Sequence, residues 1–263
     1  GALNLSTAGA LTLAGANVDL EGSVTVNGKA LSSSNALTTL TLAAANALSG
    51  KPGGVVDIAT SLVTSGNVFV QGNAIRVLSG GITSSGTDLF FAPGTNASAV
   101  ADPFYNLTSL QYTFSMFPGT QITGTGTNSV VGIGSNPDSG DTSFSTSPGL
   151  NINGQISAPT ILVAANNINS NNGLNGGFVL PNGGTLGLLA YGNVNNPNGA
   201  AANGSGSFLY NYVPVTVGAN GTKAGTATIL LAGPSASSSL EQNFNLLVNG
   251  NVTLGDMSQT FAN

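Results

Sequence analysis

Chemistry in this chain would have to come from carboxylates, because the side chains that most often carry catalysis are missing. The 263-residue sequence contains no Cys, His or Trp. A Ser-His-Asp triad, a thiolate nucleophile and most zinc sites are therefore excluded. Asp138 and Asp141 lie close together in a Gly/Ser segment, a spacing open to a Ca²⁺ site or a glycosidase acid–base pair. We interpret the pair as a solvated turn and expect no enzyme activity, no metal site and no cofactor.

A second group with binding potential is aromatic. Residues 92–120 combine three prolines with a cluster of five aromatic side chains: Phe104, Tyr105, Tyr112, Phe114 and Phe117. Because proline cannot donate into an interior β-ladder, we predict a long loop excursion here, with a strand at 110–114. We expect the aromatics to seal this loop against the underlying sheet. The alternative use is a ligand platform for a polysaccharide or a host-cell surface.

A third pattern is the string QITGTGT at residues 121–127, which alternates threonine with other residues. Similar Thr-x-Thr strings occur on ice-binding solenoids. Ice binding needs such threonines in register on successive coils, and the sequence shows only this one string. We therefore predict that these threonines occupy an ordinary exposed strand.

The elements that position these groups are predicted from a repeat in residues 55–91. Apolar residues recur there in short segments with the i, i+2 spacing of β-strands, separated by Gly-, Ser- and Asn-rich breaks. Every third segment recurs after about 20 residues, a period typical of a parallel β-solenoid. We predict an all-β fold, a parallel β-helix (β-solenoid) of about 13 coils. Val56 should then stack on Ile75, and Val68 on Leu89.

The same repeat organises the rest of the chain. Residues 1–28 already show it, since Leu3 and Val24 occupy equivalent positions one coil apart. We predict one β-solenoid domain over residues 1–263, with loop excursions near 92–120, 136–149 and 192–206. A β-sandwich built from the longer strands of residues 107–263 is the alternative fold.

The charge content limits the partners. Only 5% of the residues are charged, four of them basic, and the net charge is −5. We therefore expect no nucleic-acid binding. The apolar runs are much shorter than the roughly 20 residues of a membrane-spanning helix, so we expect no membrane span. A surface of Ser, Thr, Asn and Gly offers little charge repulsion between copies of the protein, which favours self-association.

Two stretches, GALNLSTAGALTLAGANVDLEGSVTVNG and VVDIATSLVTSGNVFVQGNAIRVLSGGITSSG, carry a family resemblance. They resemble the repeats of filamentous-haemagglutinin-type bacterial surface exoproteins. The string Asn196-Pro197-Asn198-Gly199 is similar to a signature of that family's secretion domain but lacks the isoleucine that follows it. The resemblance implies a right-handed parallel β-helix with an extracellular, adhesive role at the cell surface and no catalytic residues.

Assembly is the last expectation. End coils of a solenoid expose apolar core and unpaired strand edges, and we find no amphipathic helix or charged guard strand near either end of the sequence. We predict a homo-oligomer or fibre in which subunits pair end to end. The predicted assembly edges are Leu3, Leu5, Leu11 and Leu13 at one end and Val252 and Leu254 at the other.

Overall fold

The computed structural model describes residues 2–44, 54–93, 114–134, 150–165, 168–170, 177–190, 208–218, 225–232, 241–248 and 250–256. Within these ranges the protein is all-β and contains no helix. The strands in chain order are β1 (Leu3–Leu5), β2 (Ala10–Gly15), β3 (Val18–Leu20), β4 (Val24–Val26), β5 (Lys29–Ala30), β6 (Thr39–Ala44), β7 (Val55–Ile58), β8 (Ser61–Thr64), β9 (Val68–Gly72), β10 (Ala74–Val77), β11 (Gly81–Ser84), β12 (Asp88–Pro93) and β13 (Phe114–Met116). They continue as β14 (Gln121–Gly124), β15 (Val130–Ile133), β16 (Leu150–Ile152), β17 (Gln155–Ser157), β18 (Thr160–Ala165), β19 (Ile168–Ser170), β20 (Gly177–Leu180), β21 (Gly184–Ala190), β22 (Phe208–Val217), β23 (Gly225–Ala232), β24 (Glu241–Val248) and β25 (Gly250–Asp256).

The strands form two large sheets and one small one. The nine-stranded sheet has the order β2-β6-β9-β12-β15-β18-β21-β23-β25. The 13-stranded sheet runs β3-β7-β10-β13-β16-β19-β22 and then returns as β20-β17-β14-β11-β8, with β24 paired to β22. The small sheet is β1-β4-β5, in which β4 and β5 are antiparallel. From β7 to β21, every three successive strands therefore lie first in the first half of the 13-stranded sheet, then in its second half and then in the nine-stranded sheet.

Parallel register between successive passes of the chain confirms the pairings predicted for residues 55–91. Val56 on β7 is the register partner of Ile75 on β10. Val68 on β9 is the register partner of Leu89 on β12. The predicted match between Leu3 and Val24 is also a parallel pairing, between β1 and β4.

The core consists of apolar rows that run across the sheets. Strands such as β6 and β9 alternate buried and less buried residues, so that one face of each strand is buried. In the nine-stranded sheet the register joins buried residues in one row: Leu11, Leu40, Val68, Leu89, Val131, Ile161, Leu186 and Ile229. Rows from both halves of the 13-stranded sheet pack into the same cluster. The apolar faces of the nine-stranded sheet and of both halves of the 13-stranded sheet thus pack against one another.

Two details differ from the sequence predictions. The nine-stranded sheet has fewer strands than the predicted 13 coils, because some register partners lie far more than one repeat apart, such as Leu89 and Val131. Strand β12 continues to Pro93, a residue that is compatible with a strand end. Strand β13 begins at Phe114. Residues 92, 93 and 114–116 of the predicted excursion are therefore in strands rather than in a loop.

The β-sandwich alternative disagrees with the observed pairing. Sandwich strands joined by turns pair in antiparallel fashion. The longer strands β22 and β23 instead pair in parallel with β24 and β25. Excursions predicted near 136–149 and 192–206 lie outside the described residues.

Candidate functional site

The predicted aromatic platform is only partly described. Phe104, Tyr105 and Tyr112 lie outside the described residues. Phe114 is fully buried, and its ring packs edge-on against Phe91 with 5.7 Å between centroids. β13 turns this side chain into the core, so Phe114 is not available to the alternative use of the cluster, an exposed ligand platform. Phe117 follows the end of β13 and is 42% exposed.

The carboxylates do not assemble into a site within the described part of the chain. Asp138 and Asp141 lie outside it. Among the residues that are described, no group of three or more His, Cys, Asp or Glu side chains could hold a metal ion.

The only arginine of the sequence is engaged in a buried ion pair. Arg76 Nε donates to Asp57 Oδ1 at 2.6 Å, and Arg76 Nη2 donates to Asp57 Oδ2 at 2.5 Å. Both residues are almost inaccessible to solvent. They are register partners on the adjacent strands β7 and β10, whose four residues are all buried. Because its guanidinium is inaccessible, Arg76 cannot contact a polysaccharide substrate, and its visible role is to hold two passes of the chain together.

Asp19 on β3 lies beside Asp57, so Asp19, Asp57 and Arg76 form one row across β3, β7 and β10. It is the register partner of Asp57 and is exposed. Partial burial raises the pKa of the Asp19 carboxyl, and the nearby negative charge of Glu21 raises this pKa further. The positive charges of Arg76 and the N-terminus act in the opposite direction but do not cancel these effects.

A groove lies on the outside of the protein, where the second half of the 13-stranded sheet turns toward the nine-stranded sheet. Its volume is about 950 Å³. It crosses the turns after four successive strands of the sheet, β14, β17, β20 and β22. Residues from each turn line it, including Thr125, Pro159, Asn182 and Gly218. None of the lining side chains is charged.

The floor of the groove contains a row of hydroxyl side chains. Thr123 is the register partner of Thr83 on one side and of Ser157 on the other. Thr123 and Ser157 line the groove, whereas Thr83 lies outside it. Neither neighbouring strand repeats the Thr-x-Thr pattern, but the register places one hydroxyl residue on each side of Thr123, from segments that are distant in the sequence.

The turns beside this floor are held together by close backbone contact. A Cβ atom added to Gly86 would lie 2.4 Å from the carbonyl carbon of Gly66, and one added to Gly126 would lie 2.6 Å from the oxygen of Ser85. Only glycine allows the turns to stack at this distance. Ser129 reinforces the stack by donating its hydroxyl to the oxygen of Gly86. These contacts hold in place the turn that contributes Thr125 and Gly126 to the lining of the groove.

The predicted assembly edges at the N-terminal end lie on strands that pair on only one side within the described part of the chain. Leu3 and Leu5 are on β1, and Leu11 and Leu13 are on β2. Each strand pairs on one side only among the described residues, with β4 and β6 respectively. Leu3, Leu5 and Leu13 are only partly buried against the core, whereas Leu11 is buried.

At the other end of the sheets, β25 carries the remaining two predicted edge residues. Val252 and Leu254 are the register partners of Ala227 and Ile229 on β23. Within the described ranges, β25 pairs on that side alone. Among the described residues, the outer sides of β2 and β25 therefore carry backbone N–H and C=O groups to which a further parallel strand could pair.

The described part of the chain contains no helix that is both long and apolar enough to cross a membrane. No protein-family model, no curated protein and no solved structure matches the sequence.

Proposed function

We propose that this protein is a non-enzymatic structural or adhesive subunit of the extracellular surface, folded as a right-handed parallel β-helix. The observation that carries the proposal is the in-register parallel pairing of successive passes of the chain, which repeats from β2 to β25. Such stacking produces an elongated scaffold whose length grows with the number of passes. Connections between parallel strands of one sheet are right-handed in nearly all proteins, which supports the handedness.

The chemistry of the surface supports a scaffold rather than an enzyme. The arginine is buried in an ion pair with Asp57. The groove has hydroxyl, amide and small side chains but no acid that could transfer a proton to a substrate. An extracellular location is supported by the resemblance of residues 1–28 and 55–86 to surface exoproteins.

The open edges support self-association into a filament. β2 at one end of the nine-stranded sheet and β25 at the other each have one unpaired side among the described residues. Since all pairings in this sheet are parallel, the β25 edge of one copy can accept the β2 edge of the next without reversing direction. Unpaired edges of this kind are templates for pairing with another chain.

Electron microscopy of the purified protein tests this proposal. The wild-type protein is expected to form filaments of one protein width. The Leu13→Lys variant places a charge at the core side of the edge strand β2, where Leu13 is half-buried. A second copy would bury that charge, so filaments should be lost, while the isolated subunit can still hydrate the ammonium group.

The matched control is Asn128→Lys, which adds the same charge at an exposed turn residue away from both edges. This variant should form filaments as the wild type does. Thermal unfolding of both variants establishes that they are folded. A wild-type protein that stays monomeric at high concentration in sedimentation experiments, or filaments that persist in folded Leu13→Lys, would contradict the end-to-end model.

A further inference from the structure

The groove contains hydrogen-bonding groups that the described part of the protein does not use. The hydroxyls of Thr123 and Ser157 form no hydrogen bond to another protein group within the described part of the chain. Both side chains are half-buried on the outer face of adjacent strands and line the groove. Thr127, which is exposed, adds a third hydroxyl at the rim. Hydroxyls both donate and accept hydrogen bonds, so this surface suits a ligand that offers the same groups.

The backbone of the groove, in contrast, is already occupied. The N–H groups of Thr125, Ala158, Gly184 and Gly218 donate to carbonyl oxygens within the protein. An extended peptide binds a sheet mainly through such backbone groups at an open edge. The groove offers no such edge along its described turns, so it disfavours a peptide strand. Its lining also lacks a charged side chain, so an anionic ligand would lose hydration without gaining a counter-charge.

The dimensions favour an extended ligand. The groove crosses four neighbouring strands of one sheet, which corresponds to about 14 Å at the usual strand spacing. Pro159, Pro181 and the adjacent glycines provide apolar surface between the hydroxyl groups. A sugar ring presents C–H groups on its faces and hydroxyl groups around its rim, which matches this alternation.

We propose that this groove is a binding site for a neutral oligosaccharide lying along the stacking direction of the strands. The Thr123 and Ser157 hydroxyls bond to the sugar hydroxyls, and the proline and glycine surface packs against the ring faces. The site is separate from the strand edges used in end-to-end assembly, since no residue of β2 or β25 lines the groove. Binding of an oligosaccharide in this groove does not require the scaffold to form filaments.

Calorimetric titration with defined hexasaccharides tests the proposal. The neutral probes are cellohexaose, xylohexaose, maltohexaose and chitohexaose, and the anionic probe is hexagalacturonate. At least one neutral probe is expected to bind with saturation at one site per chain, and hexagalacturonate is expected to bind at least tenfold more weakly. The double variant Thr123→Val/Ser157→Ala removes both hydroxyls with little change in shape, so it should weaken binding of the neutral probe at least tenfold.

The matched control is Thr83→Val. Thr83 occupies the same outward row, one strand away from Thr123, but does not line the groove. This substitution should leave affinity within a factor of two while making the same chemical change. Circular dichroism melting of each variant separates loss of binding from loss of fold. Three results would overturn the proposal: no binding of any neutral probe, equal binding by the folded double variant, or a preference for hexagalacturonate.

Discussion

The ion pair between Asp57 and Arg76 gives the sharpest prediction about stability. Two hydrogen bonds join the side chains, at 2.6 Å and 2.5 Å. Their residues are 0% and 2% exposed. The Asp57→Asn substitution preserves the shape but removes the negative charge, which leaves the guanidinium buried without its counter-ion. Breaking a buried pair from one side typically costs about 3–5 kcal/mol, compared with about 0–1 kcal/mol for a solvent-exposed pair. We expect Asp57→Asn to fall in the first range.

The assay is equilibrium unfolding in urea, monitored by circular dichroism at a concentration where the protein is monomeric. Asp88→Asn is the matched control. Asp88 also connects adjacent strands, since Asn67 Nδ2 donates to its Oδ2 at 2.9 Å, but this contact lies at the surface. The control is expected to cost less than about 1 kcal/mol, because solvent compensates an exposed polar group. High salt should change the stability conferred by Asp57 little, since buried charges are weakly screened.

A double variant distinguishes a buried charge from lost packing. Replacing both partners, as in Asp57→Leu/Arg76→Met, removes the uncompensated charge. It should therefore recover most of the stability lost in Asp57→Asn. The reasoning is refuted if Asp57→Asn costs less than about 1 kcal/mol, or if the double variant is as unstable as the single one.

Two further predictions use the same unfolding assay. The pKa of the Asp19 carboxyl is raised above its ordinary 3.8 in the folded protein, so the folded state binds this proton more tightly and stability falls as pH rises through that window. Asp19→Asn should therefore stabilise the protein at about pH 7 and lose this effect below pH 3.8. An equal effect at both pH values would contradict an origin in the raised pKa of the Asp19 carboxyl. Phe114→Ala should lower the free energy of unfolding by about 3–5 kcal/mol, because the ring is fully buried. Phe117→Ala, at an exposed position, should change it by less than about 1 kcal/mol. Similar losses in the two variants would contradict the assignment of Phe114 to the core.

Local pattern predicted the register where the turns are short and regular. Between residues 55 and 91 the apolar i, i+2 segments repeat with nearly constant spacing, so Val56 and Ile75 could be paired from the sequence alone, and the structure confirms that pair. The physical reason is that a one-residue slip would turn every apolar side chain of a strand to the outside. Where spacing is constant, the burial requirement leaves a single register.

The ion pair was missed although the sequence carried its signal. Asp57 and Arg76 have the same separation in the sequence as Val56 and Ile75, whose pairing the apolar repeat had already predicted. Opposite charges at the same position of successive repeats are register neighbours on one face of the sheet. The pair could have been predicted by reading the polar residues with the period that the apolar residues established.

The groove could not be predicted in the same way, because its register passes over insertions of unequal length. Thr123 pairs with Thr83 on one side and with Ser157 on the other, and both partners lie well beyond a single repeat of about 20 residues. Lengthening a loop adds little to the entropy of closing it, so the chain can place an insertion between two passes while the apolar strands still find the same partners. The sequence on either side of an insertion does not indicate how many residues the insertion contains. A hydroxyl row assembled across such gaps can be recognised only when the apolar rows beneath it have fixed the strand order. The 121–127 string supplies Thr123 to this row, but only the register of the core places Ser157 beside it.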